Sequence, residues 1–579
     1  MVVWSTLLTI VLPWLGAACV WLTGDRRPRL LKGLAVSFGV ATGLASLGIL
    51  PFATQRTVVS IPLGGVFGDL TLVPDGLGVV IAVIATVVGC LAVIFSLDYM
   101  KPGEQLARYY ALILFFIGAM AGVGLAGSLL LMFLFWEITA FCSYALISFH
   151  NDDPKAVRGG IQALIMTQLG GVGLLAGGLL AYSFLGNTQI SSFLAQAHTI
   201  PAGILSLIAF GFLAAGAAKS AQIPLHSWLP DAMEAPTPVT ALIHAATMVN
   251  AGVYLLARFY PAFKSVPGWS TTVIVVGMLS AFLAGLMALA SNDIKRVLAY
   301  STVSQLGYMV YAIGTGSIFA GMFQLLSHAI FKALLFLGAG AVITAVGTRD
   351  MTKMGGLGKK MPFVLAAFII GALGLVGLPI ANGFFSKDLL LESGLKNGPF
   401  WAYLFMLTGT GITALYTLRL VRKVFYGKTN GDEPAHDGLP AMRIALGLLA
   451  LGTLTSWMLA GGFSQLLAAT LPFHNIEVEG TLKIVEQVVL APATWITLGV
   501  VAVGFAAWKK RDLFKGLSQA LEPVLSRGLG FDWINRKVTD LTVGIGTRLQ
   551  VTQTGQLNWN ILGILAGLVV LLLVLVRGI

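Results

Sequence analysis

The chain of 579 residues is strongly apolar: 57% of its residues are hydrophobic, 10% are charged, and its mean hydropathy is +0.87. Soluble proteins carry about 25% charged residues, so this composition excludes a soluble protein and predicts an all-α polytopic membrane protein in contact with the lipid bilayer. The net charge of +12 lies in short segments between apolar runs, as membrane topology requires, so no nucleic-acid partner is predicted.

The three cysteines, Cys19, Cys90 and Cys142, all lie in apolar runs. The sequence has no paired-cysteine or Cys/His spacing, so it predicts neither a disulfide framework nor a metal site. It also has no glycine-rich nucleotide loop and no hydrolase motif. We therefore expect no cofactor and no catalytic redox site in this chain.

Apolar runs of about 20 residues predict about sixteen transmembrane spans. The first run begins at Val2 and lacks a basic start or a cleavage signal, so we expect a retained span. The spans are expected near residues 3–22, 31–52, 77–97, 109–126, 128–149, 160–185, 203–223, 238–258, 270–290, 296–314, 318–345, 362–395, 400–421, 441–463, 490–508 and 557–577.

Basic residues predict the orientation of these spans. The loop 23–32 holds three arginines and a lysine, so it is expected in the cytoplasm, with the N-terminus outside an inner (plasma) membrane. Alternation then places inside the basic segments 98–108, 150–159, 291–296, 346–361, 422–440 and 509–556. The outside segments 53–76, 186–202 and 464–489 have only two basic residues, Arg56 and Lys483.

Two spans are interrupted by a proline near a lysine. Lys219 precedes Pro224, and Lys387 follows Pro379 in the run GLPIANGFFSKD. Charged residues and interrupted helices are both costly in lipid, so their combination indicates an ion pathway. Corresponding interruptions in two halves of a chain are typical of inverted-repeat transporters.

Glu137 is the one charged residue of its span, LLLMFLFWEITAFCSYALI. One interpretation is a protonated carboxyl that bonds to a neighbouring helix. The other is a proton site held by a cation, for which Lys219 is the natural partner. His328 and Lys332 share one helix face, which indicates either a proton relay or packing with an outward-reaching lysine. His244 is either a core histidine or part of the same relay.

Further charged residues have weaker patterns. Lys387 and Asp388 form either a pair at a helix start or part of an outlet, with Glu392 one turn further on. Asp293 and Lys295 lie in the short connection SNDIKR, which is either solvated or has a conformational or access role. The turn after Pro224, with His226, Asp231 and Glu234, is expected at the cytoplasmic surface, where charge costs little. The segment 509–556 is expected to form a cytoplasmic amphipathic helix.

Four long runs resemble the antiporter-like subunits of respiratory complex I, a family shared with Mrp-type cation/proton antiporters and energy-converting membrane hydrogenases. They are FWEITAFCSYALISF, AAKSAQIPLHSWLPDAMEAPTPVTALIHAATMVNAGVYL, SNDIKRVLAYSTVSQLGYM and SHAIFKALLFLGAG. They occur in the family's order, and the resemblance covers roughly residues 60–430. It is greatest to complex I chain 5 and to the large subunits of Mrp antiporters.

The resemblance implies a core of fourteen spans with two inverted five-helix repeats and two broken helices. On this basis 1–105 are N-terminal helices, 106–258 are the first repeat and half-channel, 259–430 are the second, and 431–579 are C-terminal helices with the segment 509–556.

The resemblance also implies roles for the buried charges. Glu137 and Lys219 become the carboxylate–lysine pair of the first half-channel. Lys332 becomes the central lysine, with His244 and His328 on a hydrated axis. Lys387 becomes the lysine of the second half-channel, towards the outlet.

Two departures concern the parent complex. No acidic residue lies near Gly171, where complex I members usually carry one. The segment 509–556 is too short for the long lateral helix of complex I, and the extensive C-terminal extension of the large Mrp subunits is absent.

The sequence therefore predicts a proton-translocating subunit, with Na⁺ as the alternative ion, among other integral membrane subunits. The parent would be a redox-driven complex of the NADH:quinone oxidoreductase or hydrogenase type, or an Mrp antiporter. The alternatives are a non-conducting scaffold and a gradient-coupled module for uptake of another solute, such as inorganic carbon.

Overall fold

The computed structural model describes residues 2–55, 57–62, 69–101, 103, 105–427, 436–509, 523–525 and 528–550. The first helices are α1 (Val2–Thr23), α2 (Pro28–Leu47), α3 (Gly76–Tyr99), α4 (Leu106–Leu125), α5 (Leu129–Ile147), α6 (Pro154–Leu185), α7 (Ile190–Gln196) and α8 (Ala202–Lys219). Two short strands, β1 (Val59–Pro62) and β2 (Asp69–Leu72), pair antiparallel between α2 and α3.

The middle of the chain contains α9 (Trp228–Asp231), α10 (Thr237–Ala241), α11 (Met248–Phe263), α12 (Trp269–Ala290), α13 (Ile294–Gly314) and α14 (Ile318–Val346). The remaining helices are α15 (Pro362–Val376), α16 (Asn382–Asn397), α17 (Phe400–Phe425), α18 (Pro440–Thr455), α19 (Ala460–Thr470), α20 (Thr481–Leu490), α21 (Pro492–Lys509) and α22 (Phe531–Gln550).

The prediction of an all-α polytopic membrane protein is confirmed. In the described part of the chain, twelve helices are long and apolar enough to cross a membrane, and α20 and α21 form one further pair bent by 60°. Each of the first fifteen predicted spans has a helical counterpart. The predicted span 557–577 lies outside the described residues.

The interrupted helices lie at the predicted places, but their bounds differ from the sequence pattern. α8 ends at Lys219, so the chain leaves the helix before Pro224. α15 ends at Val376, and Pro379 lies in the short segment before α16. A third irregularity was not predicted: a π-helical turn, Leu242–Ala246, separates α10 from α11.

The interrupted helices lie inside the bundle. All residues from Thr237 to Phe263 except Tyr260 and Pro261 are buried, whereas fewer than half of the residues of α1, α2 and α6 are buried. Large apolar side chains of those outer helices are exposed, such as Trp4, Leu22 and Val172. Such an outer surface suits lipid or a partner span, because hydrocarbon can cover it without loss.

A buried ion pair ties three helices together at the predicted outer side. Asp75 caps α3 by accepting a hydrogen bond from the Gly78 N–H at 2.9 Å. Arg258 of α11 pairs with this carboxylate and also donates to the Tyr254 hydroxyl at 3.0 Å. Tyr254 in turn donates to the carbonyl of Gly124 at the end of α4. This cluster fixes the outer ends of α3, α4 and α11.

Candidate functional site

Lys219 is the last residue of α8 and is fully buried. Its Nζ donates a hydrogen bond to the Trp136 carbonyl at 2.8 Å and lies 4.8 Å from the centre of the Trp136 ring. α8 lies close to α11 because glycines face each other where they cross, at Gly216 and Gly252. The ammonium group is therefore held by a carbonyl oxygen and an aromatic face.

Glu137 follows Trp136 on α5 and is close enough to interact electrostatically with Lys219. The Glu137 carboxylate accepts a hydrogen bond from the Gln168 amide of α6, and no hydrogen bond joins it to Lys219. Gly171 lies one turn further along α6 and has no side chain that would collide with this carboxylate. A Cβ at this position would lie 2.8 Å from Glu137 Oε1. Gln168 was not predicted as a site residue. An amide side chain within the apolar run MTQLGG could have indicated a buried hydrogen bond.

The interruption after Lys219 is stabilised by hydrogen bonds from other elements. The Ser220 hydroxyl donates to the Val249 carbonyl at 2.6 Å, and the Ile223 N–H donates to the Ser280 hydroxyl at 2.9 Å. The Trp228 indole donates to the Ala218 carbonyl at 3.0 Å. These contacts supply partners for backbone groups that a continuous helix would have satisfied itself.

His244 lies in the π-helical turn and is fully buried, with its ring 5.8 Å from the Trp228 ring. Trp228 thus connects the end of α8 to this histidine. His328 of α14 lies beside the same turn, next to Ala245, and Lys332 is one helical turn further on. The structure therefore brings His244, His328 and Lys332 together between the two interruptions. π-Helical turns are frequent at functional sites.

Lys332 is fully buried, and its Nζ donates to the Ser301 hydroxyl and, at 3.2 Å, to the Leu298 carbonyl of α13. Among the described residues no carboxylate acts on it, whereas Lys219 has Glu137 nearby and Lys387 has Asp388. The central lysine therefore has a different electrostatic environment from the other two.

A buried row of uncharged polar side chains leads from Lys332 towards Lys387. Ser301 and Gln305 are one turn apart on α13, and the Gln324 amide donates to Gln305 Oε1 at 3.0 Å. The Ser386 hydroxyl donates to Gln324 Oε1 at 2.6 Å, and Ser386 directly precedes Lys387. All four polar side chains are fully buried. This row was not predicted from the sequence, because none of its side chains is charged.

Lys387 lies on α16, five residues after the helix begins, so it is not at a helix start. Its Nζ is 3.5 Å from the Val376 carbonyl at the end of α15 and 4.9 Å from the Tyr308 ring centre. Asp388 is also buried, and Glu392 forms an ion pair with Lys396 at 3.0 Å. Lys219 and Lys387 thus share one arrangement, a carbonyl and an aromatic ring beside a helix interruption.

Ion pairs join the two halves at the predicted cytoplasmic side. Arg349 pairs with both Glu234 and Asp293, each at 2.8 Å, and Arg296 pairs with Asp231 at 3.2 Å. Asp293 also caps α13 by accepting from two backbone N–H groups. These charges form an ordered contact between the loop after α9 and the start of α13.

Two residues of this side contradict the expectation of a solvated turn. Lys295 is only 3% exposed and donates to the Ala235 carbonyl at 2.6 Å. His226 is fully buried. The solvated interpretation is therefore wrong for both residues, because helices distant in the sequence cover them. In the described ranges no group of three or more His, Cys, Asp or Glu residues could hold a metal ion.

The fold and these buried lysines define a polytopic membrane protein whose charged residues lie at interrupted helices inside the bundle. The sequence matches the family "NADH:quinone oxidoreductase/Mrp antiporter, TM" over residues 126–413. It matches "NADH-Ubiquinone oxidoreductase (complex I), chain 5 N-terminus" over residues 61–110. The chain belongs to this family of antiporter-like membrane subunits.

Relatives come from both branches of the family. NADH-quinone oxidoreductase subunit L of Escherichia coli is 37% identical over 556 residues, which cover 92% of this chain and 89% of that protein. The A1 subunit of a Na(+)/H(+) antiporter of Staphylococcus haemolyticus is 37% identical over 443 residues, covering 71% of this chain.

A solved Mrp complex from Dietzia has a chain with a TM-score of 0.82 and 27% identity, matching 99% of this chain. The present chain spans only part of the Mrp-type proteins, 54% of the Staphylococcus protein and 63% of the Dietzia chain.

Proposed function

We propose that this chain is a proton-translocating subunit of a multisubunit complex in the inner (plasma) membrane, with its N-terminus outside. The observation that carries the proposal is the buried polar row between the two interrupted helices. A charged residue inside a span costs roughly 3 kcal/mol, so three buried lysines need a compensating role. The relatives are named as subunits of an NADH-quinone oxidoreductase and of Na(+)/H(+) antiporters, which supports integral membrane partners for this chain.

In this proposal, residues 106–258 and 259–430 are the two half-channels. Glu137 and Lys219 hold a proton at the first interruption, and His244 and His328 connect this site to Lys332. The amide and hydroxyl row then orders the water molecules through which the proton moves to Lys387, because an amide N–H does not itself pass a proton on. One water molecule between Ser301 and Gln305 would complete the hydrogen-bonded connection, since a bridging water serves nearly as well as a direct bond.

The remaining charged residues have supporting roles. Asp388 and Glu392 receive the proton beyond Lys387 and lead it to a cavity of about 870 Å³ that both residues line. Asp293 and Lys295 hold the loop after α9 against α13 on the opposite side. Protons fit the row better than Na⁺, because its lysine and glutamine N–H groups repel a metal cation, which requires oxygen ligands.

The experiment compares ion flux in vesicles that contain the complete complex. Lys219→Met and Lys332→Met are each expected to abolish proton movement, and Glu137→Gln is expected to reduce it strongly. The matched control is Lys155→Met, an exposed lysine at the start of α6. Full flux in the assembled Lys332→Met complex would contradict conduction and favour a scaffold.

Replacing Na⁺ in the medium distinguishes the ions. If the flux depends on the Na⁺ concentration and not on the pH gradient, the translocated ion is Na⁺ and not the proton. The subunits that co-purify with the chain identify the parent complex, redox-driven or antiporter.

A further inference from the structure

The start of α22 covers the interruption that follows Lys219. Asn535 donates two hydrogen bonds from its amide, to the Pro224 carbonyl at 2.8 Å and to the Ser227 hydroxyl at 2.9 Å. The same hydroxyl accepts from Gln162 of α6 at 3.1 Å. Pro224 and Ser227 belong to the irregular segment, so a residue more than 300 positions away satisfies its backbone.

Beneath this contact lies His226, which is fully buried. Neither ring nitrogen has a partner of good hydrogen-bond geometry among the described residues. The Phe531 ring meets the imidazole edge-on, with 5.7 Å between the ring centres. A buried imidazole that has no well-formed hydrogen bond is costly, so we expect it to gain water whenever Phe531 moves away.

The helix is docked through polar contacts more than through apolar burial. Its buried residues are Asp532, Asn535 and Thr539, which share one face, while Trp533 and Ile534 are 66% and 49% exposed. Residues 541–550 are exposed throughout. An element held by a few polar contacts, with little apolar area buried, opens more easily than a packed core helix.

Charge pairs strengthen the same contact. Arg536 lies 3.8 Å from the Asp231 carboxylate, which also pairs with Arg296. Asp532 is 7% exposed and lies near Arg296 and Arg536, whose charges attract it, and near Asp231, whose carboxylate repels it. The helix is thus connected to the ion pairs that join the two halves of the bundle.

We propose that residues 528–539 are a detachable cover over the interruption of α8, with Asn535 as the positioning residue. When the cover is in place, it holds the backbone beside Lys219 and keeps water from His226. When it opens, water reaches His226 and the first lysine site from the cytoplasmic side. The access role rests on the proposed function, whereas the covering of His226 does not.

The first experiment measures the cover directly. Diethyl pyrocarbonate modifies accessible imidazoles, and each histidine of the intact complex is followed by mass spectrometry. Asn535→Leu removes both hydrogen bonds, so we expect modification of His226 to become about thirtyfold faster if each bond contributes its usual net stabilisation. Phe531→Ala is the second variant, and Lys537→Ala, on the exposed face of the same helix, is the control.

Other histidines provide internal standards. His244 and His328 are expected to stay protected in every folded variant, and the exposed His198 is expected to react equally in all. If His226 is modified at the same rate in the wild-type, Asn535→Leu and Phe531→Ala complexes, residues 528–539 do not shield it and the proposal is wrong.

The second experiment measures flux in the same complexes. Asn535→Leu is expected to change the rate of proton movement at least tenfold while Lys537→Ala leaves it unchanged. Faster modification of His226 with unaltered flux would overturn the access role alone. Unaltered flux in Lys219→Met would instead overturn the proposed function and leave the cover standing.

Discussion

Gln324 is the residue on which the connection between Lys332 and Lys387 depends most. Its amide donates to Gln305 at 3.0 Å, and its oxygen accepts from Ser386 at 2.6 Å. We predict that Gln324→Leu abolishes proton movement through the second half of the chain while the complex still assembles. A well-positioned proton relay contributes about a hundredfold or more to a rate, so losing the amide that orders this relay is expected to slow proton movement by about that much.

The structure also gives the cost in stability. Ser386 keeps a second partner, the Asn382 carbonyl at 3.1 Å, so Gln324→Leu leaves one buried acceptor, Gln305 Oε1, without its donor. One such orphaned group costs about 1–3 kcal/mol of unfolding free energy. The double variant with Gln305→Leu removes both amides and is expected to regain most of that stability, since two apolar partners need no hydrogen bond.

The assay therefore separates conduction from folding. Flux in vesicles is compared with thermal stability in detergent for the single and double variants, with Ser327→Ala as the control. Ser327 lies on the same helix, is buried, and has no hydrogen-bond partner for its hydroxyl among the described residues. If the double variant regains stability but shows no proton flux, the result supports a role of the polar row in conduction. Normal flux in the double variant would refute it.

Three further predictions concern packing, stability and pH. Arg258→Leu leaves Asp75 buried without its partner and should lower the unfolding free energy by about 3–5 kcal/mol, measured by thermal unfolding. Gly171→Ala places a methyl group 2.8 Å from Glu137 Oε1, so it should displace that carboxylate and lower flux. Burial lowers the pKa of His474 to about 4. Its unfolded form, with a pKa of about 6.5, binds a proton first as the pH falls, so stability of up to about 3 kcal/mol is lost between pH 6.5 and 4.

Each of these predictions has a matched control. The double variant Asp75→Leu/Arg258→Leu should be more stable than Arg258→Leu, and equal values would contradict an ionic origin. Gly178→Ala on α6 meets no atom nearer than 3.8 Å and should leave flux unchanged. His474→Gln should remove part of the acid sensitivity of the loop 471–480 in hydrogen exchange, and an unaltered pH profile would count against the histidine.

The charged residues of the site could be predicted because charge is rare in apolar spans. Lys219 and Lys332 stood out for this reason, and the structure buries both. Gln168 and Gln305 were missed because uncharged polar residues are common in spans and gain meaning only from the partners that packing gives them. Lys219 was predicted as the partner of Glu137, whereas the Gln168 amide, which was not predicted, donates a hydrogen bond to the Glu137 carboxylate.

Long-range contacts explain the other differences. The burial of His226 depends on Phe531 and Asn535, which lie about 300 residues further along the chain. The sequence around His226 does not predict such distant contacts. The Asp75–Arg258 pair was missed because each residue lies near the end of a span, where a single charge is ordinary. The all-α polytopic class and the places of the helices were predictable from the apolar runs, whereas the side-chain connections required the packed helices.

The π-helical turn at His244 sets the rotation of α10 relative to α11 through one extra residue. Such a turn contains one more residue than an α-helical turn, and one residue corresponds to a rotation of about 100°. Deleting Ala246 would allow α10 and α11 to join as one regular helix. In that helix, α10 would be rotated by about 100° relative to α11, compared with the present structure. The direction in which His244 faces relative to His328 would then change, although no side chain of the proposed proton path had been replaced. The proposed path therefore depends on the length of this segment as well as on its residues.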